Sequence, residues 1–499
     1  MFRKYEKVLK EDYKTWYQEN EAYRKQVAAD PRRLAFHLMP KTGWLNDPNG
    51  LCQVNGVYHI YYQYTPFEPT GELKLWGHYT TTDFIHYADE GPVLFPDSDL
   101  DAHGAYSGSA YVEDGTMHFF YTGNLKYFDR DDYDYINSGR GSNTISFTSK
   151  NGHDFSEKKL LMTTADYPED MSNHVRDPKV FRLGDTYYMV LGARDRESRG
   201  MVLLYESEDL KRWTYKNRIT TEETFGYMWE CPDLFEIDGQ WFLTCCPQGV
   251  EKQGIDFENV HQNVWMKLDY DFETDVYDIS EIKLLDRGFD FYAQQTFEDE
   301  NGRRILIGWM GIPDADYTNP TVESGWQHAL TLPRELKVRN GKLVQKPVEE
   351  LKKLRDGAGK RFEIGNGQPT DTPLLYEAIV EFSSCESMQM TLREDITLTY
   401  SDHILTLNLG NHGAGRTTRS VYVESLEHLQ IFADTSSIEL FVNHGEETFT
   451  SRIYSLEAEL AISGANTGAM MVYPLKAFVL EEKCDEQPKQ IMCNRRSPD

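Results

Sequence analysis

Three carboxylates open comparable segments of this 499-residue chain: Asp47 in WLNDPNG, Asp177 in RDPKVF and Glu230 in ECPDLF. Each segment runs from a short apolar strand through a Gly-containing turn into an aromatic-rich strand. Two more copies of the plan open differently, with Ser107 in YSGSAYV and Tyr292 in YAQQTF. Acids brought together by a repeat repel one another unless the site uses them. Singly, each also fits a turn or a surface ion pair, since Asp-Pro pairs start turns. Jointly they suit glycoside hydrolysis, in which one carboxyl group protonates the leaving oxygen and another attacks or activates water. Trp44, Trp76 and Trp309 offer flat walls for a sugar ring. A divalent cation is the competing use of an acid cluster, but no Asp-x-Asp or His-rich spacing accompanies these acids, so no metal is expected. Gly-rich phosphate loops and a Ser nucleophile elbow are absent, and no cofactor is implied.

The elements that must position these residues are strands. The five copies carry turn glycines Gly56, Gly115, Gly184, Gly239 and Gly302, each beside Asn or Asp, the residues that supply positive φ in tight hairpins. Their spacing, about 60 residues, fits propeller blades with long loops. A third strand follows most copies, as in WGHYTTTDFIHY and NTISFTSKNGHDF. The fold expected is all-β: a five-bladed β-propeller followed by a C-terminal β-sandwich, with a short N-terminal helical segment. A Greek-key sandwich is the alternative, but it would not need five copies of one hairpin. In a propeller the innermost strands line one channel, so their starts converge.

The boundaries read as a helical extension over 1–32, a propeller over 33–345, a linker over 346–359, a sandwich over 360–485 and a disordered tail over 486–499. Within the extension, Tyr5, Leu9, Tyr13, Trp16 and Tyr23 recur at helical spacing over residues 3–28. VEELKKLRDG, from Val348, reads as a short linker helix.

Composition narrows the partners. A formal net charge of −29 disfavours nucleic acid and anionic membranes. No stretch approaches the length needed to span a bilayer, and the charged start MFRKYEKVLKEDYKTW lacks a signal-peptide apolar core. Seven cysteines without zinc-like spacing suit free thiols in the cytoplasm. Homo-oligomerisation is left open. The partner expected is a small sugar.

WLNDPNG resembles the signature of the β-fructosidases, glycoside hydrolase family 32. The likeness continues through YHIYYQYTP, WGH, YSGSA, RDPKVF, ECPDLF, DFYAQQTF and, near the C-terminus, SIELFVNHGEETFTSRIY. The resemblance implies a five-bladed propeller with a β-sandwich, and a retaining hydrolase of terminal β-fructosyl bonds in sucrose or sucrose 6-phosphate. It implies Asp47 as nucleophile, Glu230 as general acid and then base, and Asp177 as transition-state stabiliser oriented by Arg176. It implies Trp44, Asn46, Gln63, Trp76, Tyr106 and Ser107 around the fructose, with Tyr292 and Trp309 completing the site. Tyr106 stands where many members have Phe. Glu230 should have a raised pKa, lifted by Asp47 and Asp177. A phosphorylated substrate would need basic groups, for which Lys126, Arg130, Arg140, Arg194 and Arg196 are candidates. A fructosyltransferase of the same fold and a non-catalytic sugar-binding propeller are the other readings.

Overall fold

A computed structural model describes residues 7–364 and 372–482. Five four-stranded antiparallel units follow one another in sequence. We number them blades I to V, with inner strands Gly43–Val54, Ala105–Glu113, Met171–Leu183, Met228–Ile237 and Tyr292–Glu298. Each inner strand touches the inner strand of the next blade, and that of blade V touches that of blade I, so the ring closes. Each blade has four strands, where the sequence shows a third in most copies; the outer one in blade I is His86–Leu94.

Hairpin chemistry fixes the blades locally. Asn55-Gly56, Asp114-Gly115 and Asp238-Gly239 all have positive φ at both residues, the geometry of the tight turn whose twist matches paired strands. Blades stack face to face, so their central strands are buried on both faces and read as continuous apolar and aromatic runs; VYHIYYQYT at Val57–Thr65 is buried almost throughout. The outer strand Val276–Leu284 in blade IV instead alternates exposed and half-buried positions at its start. Separate apolar clusters fill the gaps between neighbouring blades, such as Val190, Leu204, Trp229, Leu243 and Met266 between III and IV.

The N-terminal segment departs from the single helix expected over 3–28. Helix α1 (Lys10–Glu19) and helix α2 (Glu21–Ala28) meet at Asn20, whose side-chain amide donates to the Trp16 carbonyl at 2.8 Å and so ends the first helix. The pair packs on the propeller: Trp16 meets Phe67 edge-on at 5.1 Å, and the Tyr23 hydroxyl donates to the Gly325 carbonyl at 2.6 Å. The linker segment is a 3₁₀ helix, Glu349–Leu354. The tail over 486–499 lies outside the described residues.

Two further sheets follow. A six-stranded sheet includes Tyr376–Cys385, His428–Asp434 and Ser437–Val442, and a five-stranded sheet includes Met388–Arg393 and Ile396–Ser401. Their facing side chains, among them Leu398, Leu407, Ile431, Leu440 and Phe449, form one buried core. The strand Val479–Glu482 then returns to pair with the outer edge of blade I.

Buried charges tie the sandwich to the propeller. His37 contacts Asp434 at 2.7 Å and Glu439 at 3.0 Å, all three side chains being fully buried. Glu439 also receives Arg334 at 2.6 Å, and Arg334 reaches Asp286 at 3.1 Å. Burial disfavours the imidazolium, but the two acids outweigh it and push His37 up to about 9. Among the described residues no helix is long and apolar enough to cross a membrane.

Candidate active site

All five inner strands share one irregularity. At a fixed point the inner strand takes three steps while its hairpin partner takes two: Leu45 to Pro48, Ala105 to Gly108, Arg176 to Lys179, Glu230 to Asp233 and Tyr292 to Gln295. Such a bulge leaves a residue unpaired and re-aims its side chain. In blades III, IV and V the first bulged residue, Asp177, Cys231 or Ala293, has φ of 62°, 48° or 49°. Non-glycine residues rarely adopt that conformation, and it clusters at functional sites.

The bulge corrects the alignment read from the sequence. Asp47 is equivalent to Ser107; Asp177 is equivalent to Asn46, Tyr106 and Cys231; Glu230 is equivalent to Arg176 and Tyr292. The three acids therefore occupy three successive positions of one repeated bulge, not a single shared one. They still converge. The Cys231 thiol lies 3.8 Å from Asp47 Oδ2 and 3.7 Å from Asp177 Oδ2.

A closed ring of side chains holds Asp47. Trp44 Nε1 donates to Asn46 Oδ1 at 2.8 Å, and Asn46 Nδ2 donates to Asp47 Oδ1 at 3.0 Å. Asn46 also donates to Gln63 Oε1, Gln63 Nε2 donates to Ser107 Oγ at 2.8 Å, and Ser107 donates to Asp47 Oδ2. Burial raises the Asp47 carboxyl, the Ser107 and Asn46 hydrogen bonds oppose it, and the charge of Glu230 adds to the rise.

Asp177 accepts from the Cys231 backbone N–H at 3.0 Å and anchors its own N–H on Thr122 Oγ1 at 2.9 Å. Burial lifts its carboxyl to about 7; the Arg176 charge opposes, and the charges of Glu230 and Asp47 reinforce the lift.

Glu230 is gripped on both oxygens. Oε1 accepts Arg176 Nε at 3.0 Å and also Arg176 Nη2. Oε2 accepts Tyr292 Oη at 2.7 Å and Gln248 Nε2 at 2.8 Å. Burial alone would raise its pKa, but the charge and paired hydrogen bonds of Arg176, with help from Tyr292, bring it below the usual value. The expected upward shift is thus reversed. A two-pronged guanidinium contact outweighs two carboxylates that make no direct contact.

Most of the remaining residues singled out from the sequence gather here, but two stand behind the site. Trp76 is fully buried, and its Nε1 donates to the Tyr106 carbonyl at 3.0 Å. It buttresses Tyr106. Trp309 is 3% exposed and packs behind Trp44 and Tyr292, with ring centroids 5.8 and 6.2 Å away.

Three neighbours escaped the sequence reading. Gln248 follows from the hairpin register, lying opposite Met228 and so beside Glu230. His174 accepts from Arg176 Nη1 at 2.9 Å. The Lys74 ammonium lies 4.8 Å from the Trp44 ring centroid, and burial lowers its pKa to about 7, against the charges of Glu68 and Asp47.

The chain matches two family models, "Glycosyl hydrolases family 32 N-terminal domain" over residues 37–347 and "Glycosyl hydrolases family 32 C terminal" over residues 345–477. It is 36% identical to the sucrose-6-phosphate hydrolase of Bacillus subtilis over 466 residues, covering 91% of this chain and 95% of that protein. Identity to the sucrose-6-phosphate hydrolase of Klebsiella pneumoniae is also 36%, over 472 residues, covering 91% and 96%. The sucrose-6-phosphate hydrolase structure from Lactobacillus gasseri superposes with a TM-score of 0.84 at 29% identity, covering 95% of this chain and 99% of that one. A GH32 beta-fructofuranosidase from Bombyx mori, solved as a mutant in complex with sucrose, gives 0.81 at 28%, covering 93% and 99%. Matches running through both halves of the chain make it a glycoside hydrolase, and it belongs to glycosyl hydrolases family 32.

Proposed function

We propose that this enzyme hydrolyses the β-fructosyl bond of sucrose and sucrose 6-phosphate by double displacement, with Asp47 as nucleophile and Glu230 as acid and base. The observation that carries this reading is the contrast between two carboxyl groups at one mouth. Asp47 is fixed by hydrogen bonds from neutral groups on both oxygens, as a nucleophile aimed at one carbon requires. Glu230 is instead tied to ionisable donors, a guanidinium and a phenol, as a group that gives and takes a proton requires.

Attack by Asp47 on the anomeric carbon of fructose breaks the bond to the glucosyl oxygen, which takes the Glu230 proton. Water then attacks the fructosyl ester, gives its proton to Glu230 and frees Asp47. Positive charge develops on the fructosyl ring in the transition state of each step, and ionised Asp177 stabilises it. Burial and the neighbouring carboxylates raise Asp177 to about 7, against the Arg176 charge, so near neutral pH the coupled cluster takes up a proton. The developing positive charge favours ionised Asp177, and therefore the arrangement with that proton on Glu230.

The sucrose-6-phosphate hydrolases and the sucrose-bound relative support the substrate class. A cytoplasmic location belongs to the same reading, since Cys52, Cys231, Cys245 and Cys246 are buried free thiols. The test is the configuration of the first sugar released from sucrose. Proton NMR should detect β-fructofuranose before mutarotation; initial α-fructofuranose would rule out double displacement. Kinetics on sucrose, sucrose 6-phosphate, raffinose, kestose and inulin would rank the leaving groups.

A further inference from the structure

Three guanidinium groups surround His174 on the Glu230 side of the mouth, those of Arg140, Arg176 and Arg194, and together they press its imidazole toward neutrality after burial has done so first. Of the three, only Arg176 has a carboxylate partner among the described residues. Among the described residues, neither Arg140 nor Arg194 lies within ion-pair distance of an acid. Arg140 is 1% exposed, donates to Tyr135 Oη at 3.2 Å and Asn124 Oδ1 at 2.9 Å, and leaves its buried Nε without a partner. Its guanidinium faces the Tyr106 ring, 5.8 Å from the centroid. Arg194 stacks on Tyr227 at 4.6 Å, donates to Ser198 at 2.9 Å, and likewise leaves its Nε unsatisfied. Asp134 on the neighbouring loop feels Arg194, but its carboxylate is solvent-exposed and bound to Asn137 and the Ile136 N–H.

A buried guanidinium without a counter-charge is costly, and a chain of net charge −29 has acids to spare for it. Arg140 and Arg194 thus bring two guanidiniums without carboxylate partners to the side of Glu230, where the leaving group must sit. That pair of charges matches a phosphate monoester, which carries a charge of about −1.5 to −2 near neutral pH.

We propose that Arg140 and Arg194 form the phosphate-recognition subsite for the leaving glucosyl 6-phosphate, with the Tyr135 hydroxyl yielding its place on Arg140 to a phosphate oxygen. This rests on the β-fructosidase reading above. The structure also sorts the other basic candidates. Arg130 is spent on Asp132, with both its bonds at the surface, and exposed Arg196 donates to the Met171 carbonyl. Lys126 lies opposite Arg140 across the strand pair.

The test compares kcat/KM on sucrose and on sucrose 6-phosphate for the full-length enzyme, Arg140→Gln and Arg194→Gln, with thermal melts to verify folding. The wild type should prefer the phosphorylated sugar. Each substitution should cut that preference roughly tenfold or more, mainly through KM, as loss of a charged hydrogen bond does. Because Arg140 is buried, inhibition by glucose 6-phosphate and by glucose supplies a second measurement on the wild type and on half-buried Arg194→Gln. Glucose 6-phosphate should inhibit the wild type more strongly, and the gap should shrink in the variant. Equal losses on both sugars would assign the arginines to holding the Tyr135 loop and overturn the proposal. So would a wild type that cleaves both sugars equally well. A wild type that cleaves neither would instead overturn the β-fructosidase reading itself.

Discussion

Arg176 and Glu230 occupy the same register position in neighbouring blades, the last paired residue before the bulge, and they meet there as a two-pronged ion pair. The repeat that delivers the acid thus also delivers the cation that holds its pKa below the usual value. Asp177 shifts the other way: burial lifts it to about 7, its carboxylate neighbours reinforcing the lift and the Arg176 charge opposing it.

This arrangement sets the pH dependence. A hydrolysis that needs one proton in the cluster should lose activity as pH rises through about 7, where that proton leaves. In Asp177→Asn the carboxyl that titrates near 7 is gone, and with it one charge that repels Asp47 and Glu230, so the proton they can still take up should leave at lower pH. The alkaline limb of kcat/KM against pH should move down, on a much smaller rate. An alkaline limb that stays in place would detach the cluster from the proton used in catalysis.

Substituting Asp47 by Asn keeps the side-chain size and removes the nucleophile. Turnover of sucrose should fall on the order of 10⁴-fold or more, while the melting temperature stays close to that of the wild type. An Asp47→Asn enzyme with near-normal turnover would refute the assigned nucleophile.

The five blades were legible because their signals are local. Asn55-Gly56 and Asp238-Gly239 specify turns from two residues each, and runs such as VYHIYYQYT can pack only between layers. The acids were legible because they open such units. Their mutual register was not, because a bulge adds one residue without any Gly or Pro signal of its own at Asn46 or Tyr106. The direction of the Glu230 shift is hidden for a related reason: the sequence sets Arg176 beside Asp177, while the bulge turns its guanidinium toward the next blade. Trp76 looked like a sugar platform, yet its strand lies third in its blade, where both faces are covered. Asn20 broke a helix whose apolar spacing ran straight through it.

Ser107 closes the hydrogen-bond ring on Asp47, and its hydroxyl holds the Asp47 pKa down. In Ser107→Ala the Asp47 carboxyl should titrate higher, so the acid limb of the pH profile should move to higher pH. Loss of one charge-assisted hydrogen bond should lower kcat/KM about tenfold near pH 6. The retained Asn46 bond keeps Asp47 in place, so the variant should still release β-fructofuranose first. A lower rate without a shift of the acid limb would mean that Ser107 serves the substrate and not the nucleophile.

Far from the mouth, His37 links the propeller to Asp434 and Glu439 of the sandwich. Its folded pKa is raised to about 9 from an ordinary value of 6.5. The protonated ring therefore stabilises the fold fully below pH 6.5, and that contribution is lost as pH rises through about 9. The shift corresponds to at most about 3 kcal/mol. The wild-type melting temperature should fall between pH 7 and pH 10 more steeply than that of His37→Gln, which should be less stable at pH 6 and nearly level across that range. Both carboxylates would lose their shared cation in the variant, so its deficit at pH 6 should be as large as removal of one partner from a buried pair, about 3 kcal/mol or more. Parallel melting curves for the two proteins from pH 7 to pH 10 would show that His37 is uncharged in the native interface, leaving Arg334 as the cation that holds Glu439.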